Sequence, residues 1–179
     1  MRKFANNRAL ALVALIGSHA SSLHAQGAGD LLVAPTRVVL DGARGTEVIL
    51  NNIGAAPATY RISLELRRMR PDGSLEEIEP SAANAVEATT LGMISYAPRR
   101  VTLPPNQPQS IRIGIRAPQS LPDGEYRAHM LFRAIPDSKP AVANESPKEG
   151  VSIALTPIYG VTIPIIVRQG NLSAKAAIS

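Results

Sequence analysis

Few side chains in this 179-residue chain are equipped for chemistry. There is no cysteine, and there are three histidines. Two of these, His19 and His24, fall in the first 25 residues. A Ser–His–Asp site needs a histidine held between a nucleophile and an acid. That leaves His129, which lies on the polar side of an alternating stretch, where a solvated surface histidine is expected. A zinc site needs several His or Cys ligands, and the chain lacks them. The segments "PDG" and "GSLEEIE" do not have the ligand spacing of a calcium loop. Glu76 and Glu77 read as a solvated loop pair. No glycine-rich phosphate loop is present. The inventory argues against an enzyme and calls for no metal or cofactor.

The N-terminus has the layout of a secretory signal. "MRKFANNR" is basic, "ALALVALIG" is apolar and "SHASSLHAQ" is small and polar. The apolar run is too short to span a bilayer. Cleavage is expected after Ala25, with Ala20 as the second candidate, which implies export. Without residues 1–25 the 19 basic residues become 16 against 14 acidic, a net charge of +2. No Lys/Arg cluster alternates with stacking aromatics, so a nucleic-acid partner is not expected. An exported chain without cysteine must hold together without disulfides, and about 150 residues can bury enough surface to do so.

The remaining residues, 26–170, read as β-structure. "LLVAPTRVVLD" (31–41) gives two short strands kinked around Pro35, and "TEVILNN" (46–52) follows a turn. "ATYRISLELRRM" (58–69) alternates strictly, with Tyr60, Ile62, Leu64 and Leu66 on one face. Residues 74–92 are polar and Ala-rich, a loop or one helical turn. "ISYAPRRVTLPP" (94–105) holds a short strand or two. "QSIRIGIRA" (109–117) alternates again, and 121–136 puts Tyr126, Ala128, Met130 and Phe132 on one face. The segment 137–150 is a polar, Pro-rich loop. About seven strands with turn signals between them predict an all-β antiparallel sandwich. Residues 171–179 read as a tail or the start of a second domain.

The last stretch, "VSIALTPIYGVTIPIIVRQG" (151–170), is apolar at every second position from Val151 to Val167. Fully extended at about 3.3 Å per residue, it would run roughly 60 Å, longer than the ~40 Å diameter of a domain this size. It must therefore break, at Pro157 or Gly160, or run past its own sheet. Prolines belong at sheet edges, strand starts and bulges, so Pro157 and Pro164 put part of the segment at an edge. Residues 151–167 contain no charge, and an unguarded apolar edge is a liability or a docking site. Val161 to Val167 are expected to face the core. For residues 151–159, core and docking both fit.

Five stretches in order resemble the PapD-like periplasmic chaperones of pilus (fimbrial) subunit assembly. They are "APTRVVLDG", "VILNNIGAAPATYRI", "APRRVTLPPNQPQSIRI", "LPDGEYRAHMLFRAIP" and "IYGVTIPIIVR". The resemblance implies an immunoglobulin-like sandwich whose last strand completes the fold of a pilus-type subunit. The donor positions would be Val151, Ile153, Leu155, Pro157 and Tyr159. It also implies a basic residue gripping the subunit's C-terminal carboxylate, here Arg37. The family's second anchor, a lysine, falls on Pro164, which leaves Arg168 as a displaced anchor. Partners would be a pilus-type subunit, an outer-membrane usher, and another copy through the last strand. The rival reading is a structural sandwich subunit of a surface assembly that accepts strands. The presence of a last strand favours the donor.

Overall fold

The computed structural model describes residues 30–41, 44–136, 157–174 and 177. Strands β1 (Leu31–Ala34) and β2 (Val38–Asp41) lie either side of the Pro35 kink. β3 (Thr46–Asn52), β4 (Ala58–Met69) and β5 (Leu75–Ile78) follow. A 3-10 turn at Pro80–Ala82 leads into α1 (Ala85–Met93). Then come β6 (Ile94–Ala97), β7 (Arg100–Leu103), β8 (Pro108–Ile115), β9 (Gly124–Ile135) and β10 (Gly160–Gln169).

The strands form two sheets, as the alternation predicts. One has the order β1-β3-β8-β6. The other runs β2-β10-β9-β4, and the far edge of β4 is shared by β7 at its start and β5 at its end. The chain crosses from one sheet to the other between β1 and β2. β1 pairs antiparallel with β3, while β2 pairs parallel with β10. Tyr60, Ile62, Met130, Phe132, Ile163 and Ile165 of the larger sheet face Val48, Leu50, Ile111 and Ile113 of the smaller, all buried. Burial of such side chains, at about 1.5–3 kcal/mol each, is the main force holding the layers together.

Two polar devices fix the ends. The buried Asn52, the last residue of β3, donates from Nδ2 to the carbonyl of Leu103 on the opposite sheet (2.9 Å) and to that of Ala56 (2.8 Å). Residues 74–92, expected as a loop or one turn, instead contain β5 and two and a half turns of helix. The helix starts with a reciprocal cap. Asn84 Oδ1 accepts from the Glu87 amide, and the Glu87 carboxylate accepts from the Asn84 amide, both at 2.9 Å. The same carboxylate accepts from Arg68 Nε (3.0 Å) and Nη2 (2.8 Å), tying α1 to β4.

Among the described residues, regular pairing of β10 begins at Gly160. A Cβ on Gly160 would lie 3.0 Å from Leu131 Cδ1, so the close approach to β9 suits glycine. Burial along β10 is graded. Ile163 is 2% exposed and Ile165 fully buried, whereas Val161 on the same face is 37% exposed. Ile165→Ala should therefore destabilise by about 2–5 kcal/mol, and Val161→Ala by about 1 kcal/mol or less. Urea unfolding of the two variants checks this, and equal losses would contradict the gradient.

Candidate functional site

The exposed edge of β10 is the feature that the elements position most specifically. β9 pairs with β10 along its whole length, Gly160 to Gln169. On the other side β2 reaches only Ile165 to Arg168. Gly160 to Pro164 therefore have no strand partner on that side among the described residues. Just before β10, the Tyr159 carbonyl accepts from the Ala134 amide (2.9 Å), so the chain already runs beside β9 there. Ile158 and Tyr159 are 50% and 49% exposed. Pro157 is exposed as well. Of the five expected donor positions, Pro157 and Tyr159 thus lie at the open end of the strand. Val151, Ile153 and Leu155 fall outside the described residues.

The two expected anchors sit on the outer face of the larger sheet but not together. Extending the β2–β10 register back by one pair sets Arg37 level with Pro164. Arg168 is four residues further along, roughly 13 Å at 3.3 Å per residue. Arg37 is exposed and has no ion-pair partner among the described residues. Arg168 donates from Nε to Glu125 Oε1 at 2.9 Å. An exposed pair of this kind contributes about 0–1 kcal/mol, so Arg168 is occupied but not locked.

His129 corrects the sequence reading. It does lie on the outer, polar side of β9, yet it is only 6% exposed. It is the Cα partner of Glu65 on β4 and of Pro164 on β10, and these neighbours crowd the ring. Glu65 Oε1 is taken by Arg67 Nε at 2.6 Å and lies 3.4 Å from Thr162 Oγ1. His129 Nδ1 has no hydrogen-bond partner. Alternation gives the face of a residue but not how closely its cross-strand neighbours pack, so nothing local in the sequence marked this histidine. The row Glu65–His129–Pro164, continued to Arg37, is the polar seam beside the open edge.

A groove of about 660 Å³ lies elsewhere, on the smaller sheet at Gly45, Gly114, Glu47 and Arg112. None of the expected site residues lines it. Among the described residues no three His, Cys, Asp or Glu side chains are grouped to hold a metal ion.

No family model matches the chain, and no curated protein matches it in sequence. Solved structures do match in fold. The periplasmic chaperone SfaE has a TM-score of 0.52 at 14% identity, over 81% of this chain and 60% of that one. The YadV chaperone has a TM-score of 0.51 at 18% identity, over 82% and 55%. A chain in the structure of the Salmonella enterica SafA pilin in complex with the SafB chaperone has a TM-score of 0.51 at 19% identity, over 80% and 56%. The chain thus has an immunoglobulin-like β-sandwich fold. Specifically, it is similar in structure to the PapD-like periplasmic pilus chaperones, and it spans a little over half the length of the chains it matches.

Burial, reinforced by the positive charges of Arg67 and Arg127, holds the His129 pKa below the ordinary 6.5. The native state keeps the ring neutral while the unfolded chain takes up a proton. Stability should therefore be flat above pH 6.5 and fall as pH drops below it, until the native ring also protonates. Asp72, Glu76 and Glu87, whose pKa values are lowered by hydrogen bonds from Ser74, Arg70 and Arg68, respond only lower, below their ordinary values of 3.8 to 4.5. Thermal unfolding between pH 7.5 and 5 should show Tm falling for the wild type and a flatter profile for His129→Gln. Parallel profiles would assign the pH dependence to another group.

Proposed function

We propose that this chain is an exported, non-enzymatic chaperone that binds a pilus-type subunit in the periplasm by lending it the strand leading into β10. The observation that supports this most directly is the burial gradient along one face of a half-open strand. Ile163, Ile165 and Val167 are buried in the chain's own core, while Val161 and Tyr159 on the same alternation are exposed. The unpartnered backbone beside them can form a ladder with an added strand, and alternate side chains can fill the partner's pockets. Burial of Val151, Ile153, Leu155 and Tyr159 would contribute about 6–12 kcal/mol before association costs. Those costs are about 4–15 kcal/mol, so apolar burial alone does not secure tight binding. Ladder hydrogen bonds and a charged anchor supply the remainder.

Arg37 is the primary anchor in this reading. Its planar fork can take both oxygens of a terminal carboxylate, and no described acid competes for it. Arg168 is a secondary anchor that must first release Glu125. An outer-membrane usher and a second copy of this chain are further candidate partners.

The test is co-purification of the tagged mature chain from periplasm of its native host, with intact masses of whatever accompanies it. The wild type should bring down a small exported subunit, and Ile153→Asp/Leu155→Asp should lose it. Arg37→Ala should reduce recovery about tenfold or more, as expected for a lost charge-assisted contact of about 1.5–3 kcal/mol. Arg168→Ala should reduce it less. A stably folded wild type that brings down nothing would refute strand donation by this chain.

A further inference from the structure

The outer face of the larger sheet carries a second, separate feature. Arg61 on β4 is the direct cross-strand partner of Arg100 on β7 and of Arg133 on β9. All three are exposed; Arg61 and Arg133 lie between buried core residues, and Arg100 opens β7 just before the buried Val101. They form one row across three adjacent strands. Like charges directly opposite one another in a sheet are destabilising, and no described acid forms an ion pair with any of the three.

The same face shows what compensation looks like. Arg67 is 2.6 Å from Glu65, Arg168 is 2.9 Å from Glu125, and Arg127 is 3.9 Å from Glu125. Each of these arginines has a carboxylate beside it. The upper row has three arginines and none. On one side it is bordered by Thr102 and Thr59, whose hydroxyls are 2.9 Å apart. One hydroxyl donates to the other, which leaves one hydroxyl proton free for a ligand. On the other side it is bordered by Ser63. A row of three uncompensated arginines, on a face where Arg67, Arg127 and Arg168 each have a carboxylate, departs from the local rule in the way expected of functional sites.

We propose that Arg100, Arg61 and Arg133 form an anion site for a multivalent phosphate-type ligand. Guanidinium forks match phosphate oxygens bidentately. Strands ~4.8 Å apart make the row roughly 10 Å long, more than one carboxylate can span. Linked phosphates, or neighbouring phosphate headgroups on a membrane surface, can span it. None of its residues is a donor or anchor position, and Arg133 pairs with Gly160 at the start of the open edge.

The experiment is thermal unfolding of the mature chain in low salt with sodium tripolyphosphate, against sodium chloride of equal ionic strength. At about ten times Kd, Tm should rise by about 3–6 °C. Arg61→Gln and Arg133→Gln should lose more than half of that rise, and Arg61→Lys, which keeps the charge without the fork, should lose part of it. Without ligand, Arg61→Gln should unfold at the same temperature as the wild type or higher, because it relieves the repulsion. Loss of the response then cannot be attributed to misfolding. Flotation with phosphatidylglycerol and phosphatidylcholine vesicles identifies the source. Binding only to phosphatidylglycerol, lost in Arg61→Gln/Arg133→Gln, means a lipid headgroup, and a tripolyphosphate response without flotation means a free anion. No response to either probe, or an equal response in the variants, overturns the site.

Discussion

Everything about the candidate site depends on how the first strand is shared between the sheets. β1 pairs with β3, the chain crosses at Pro35, and β2 then has only four residues to lay against β10. β9 covers ten residues of β10 on the other side. The mismatch leaves the leading part of β10 as a half-finished sheet edge. Had the first strand stayed in one sheet, β10 would be either fully covered or fully exposed. The division gives it a rigid half packed into the core and an open half that continues the same apolar face.

The core and the outer face of the larger sheet obey different constraints. Inside, aliphatic side chains from both sheets interlock without a disulfide, and Asn52 links the layers by hydrogen bonds to Ala56 and Leu103. A buried amide that keeps its partners satisfied adds specificity without the penalty of an unpaired polar group. Outside, charge is arranged row by row. Glu65 and Glu125 compensate the lower arginines, His129 is enclosed between Glu65 and Pro164, and the upper arginines are left without acids among the described residues. One sheet can carry these separate features because its alternation isolates the outer rows from the core.

Much of the fold was legible because period-2 alternation survives in single strands. Residues 58–69, 109–117 and 121–136 each declared a buried face, and the structure buries Tyr60, Ile62, Ile111, Ile113, Met130 and Phe132 accordingly. Length alone required the last segment to break, at Pro157 or Gly160, or to run past its sheet, and regular pairing of β10 begins at Gly160. What stayed hidden depends on cross-strand register. His129 looked like a solvated residue because Glu65 and Pro164 are far away in sequence, and only pairing crowds them around it. The Arg100–Arg61–Arg133 row is invisible for the same reason, since its members lie on three strands. Helix α1 is a different case. The Asn84–Glu87 cap is a start signal, but the Ala- and Thr-rich run behind it lacks a strong apolar stripe, so the segment reads only as a loop or one helical turn.

An open apolar edge needs a limit, because an unbounded one would recruit other strands indiscriminately. Here the limit is drawn in three steps along β10. From Ile165 to Arg168 the edge is occupied by β2. At Pro164, immediately before that cover begins, the backbone has no N–H to offer an incoming strand. Among the described residues before that cover, Gly160 to Ile163, with the approach from Pro157, present an unpaired and uncharged edge. Charged guards would exclude strands of every kind, including a wanted partner. A proline stop followed by a covered stretch would instead limit where an added strand could end, at Pro164, which is level with Arg37. In the proposed strand docking, the edge and the unpaired arginine would belong to one arrangement, with the length of the docked strand and the position of its terminus set by the same boundary.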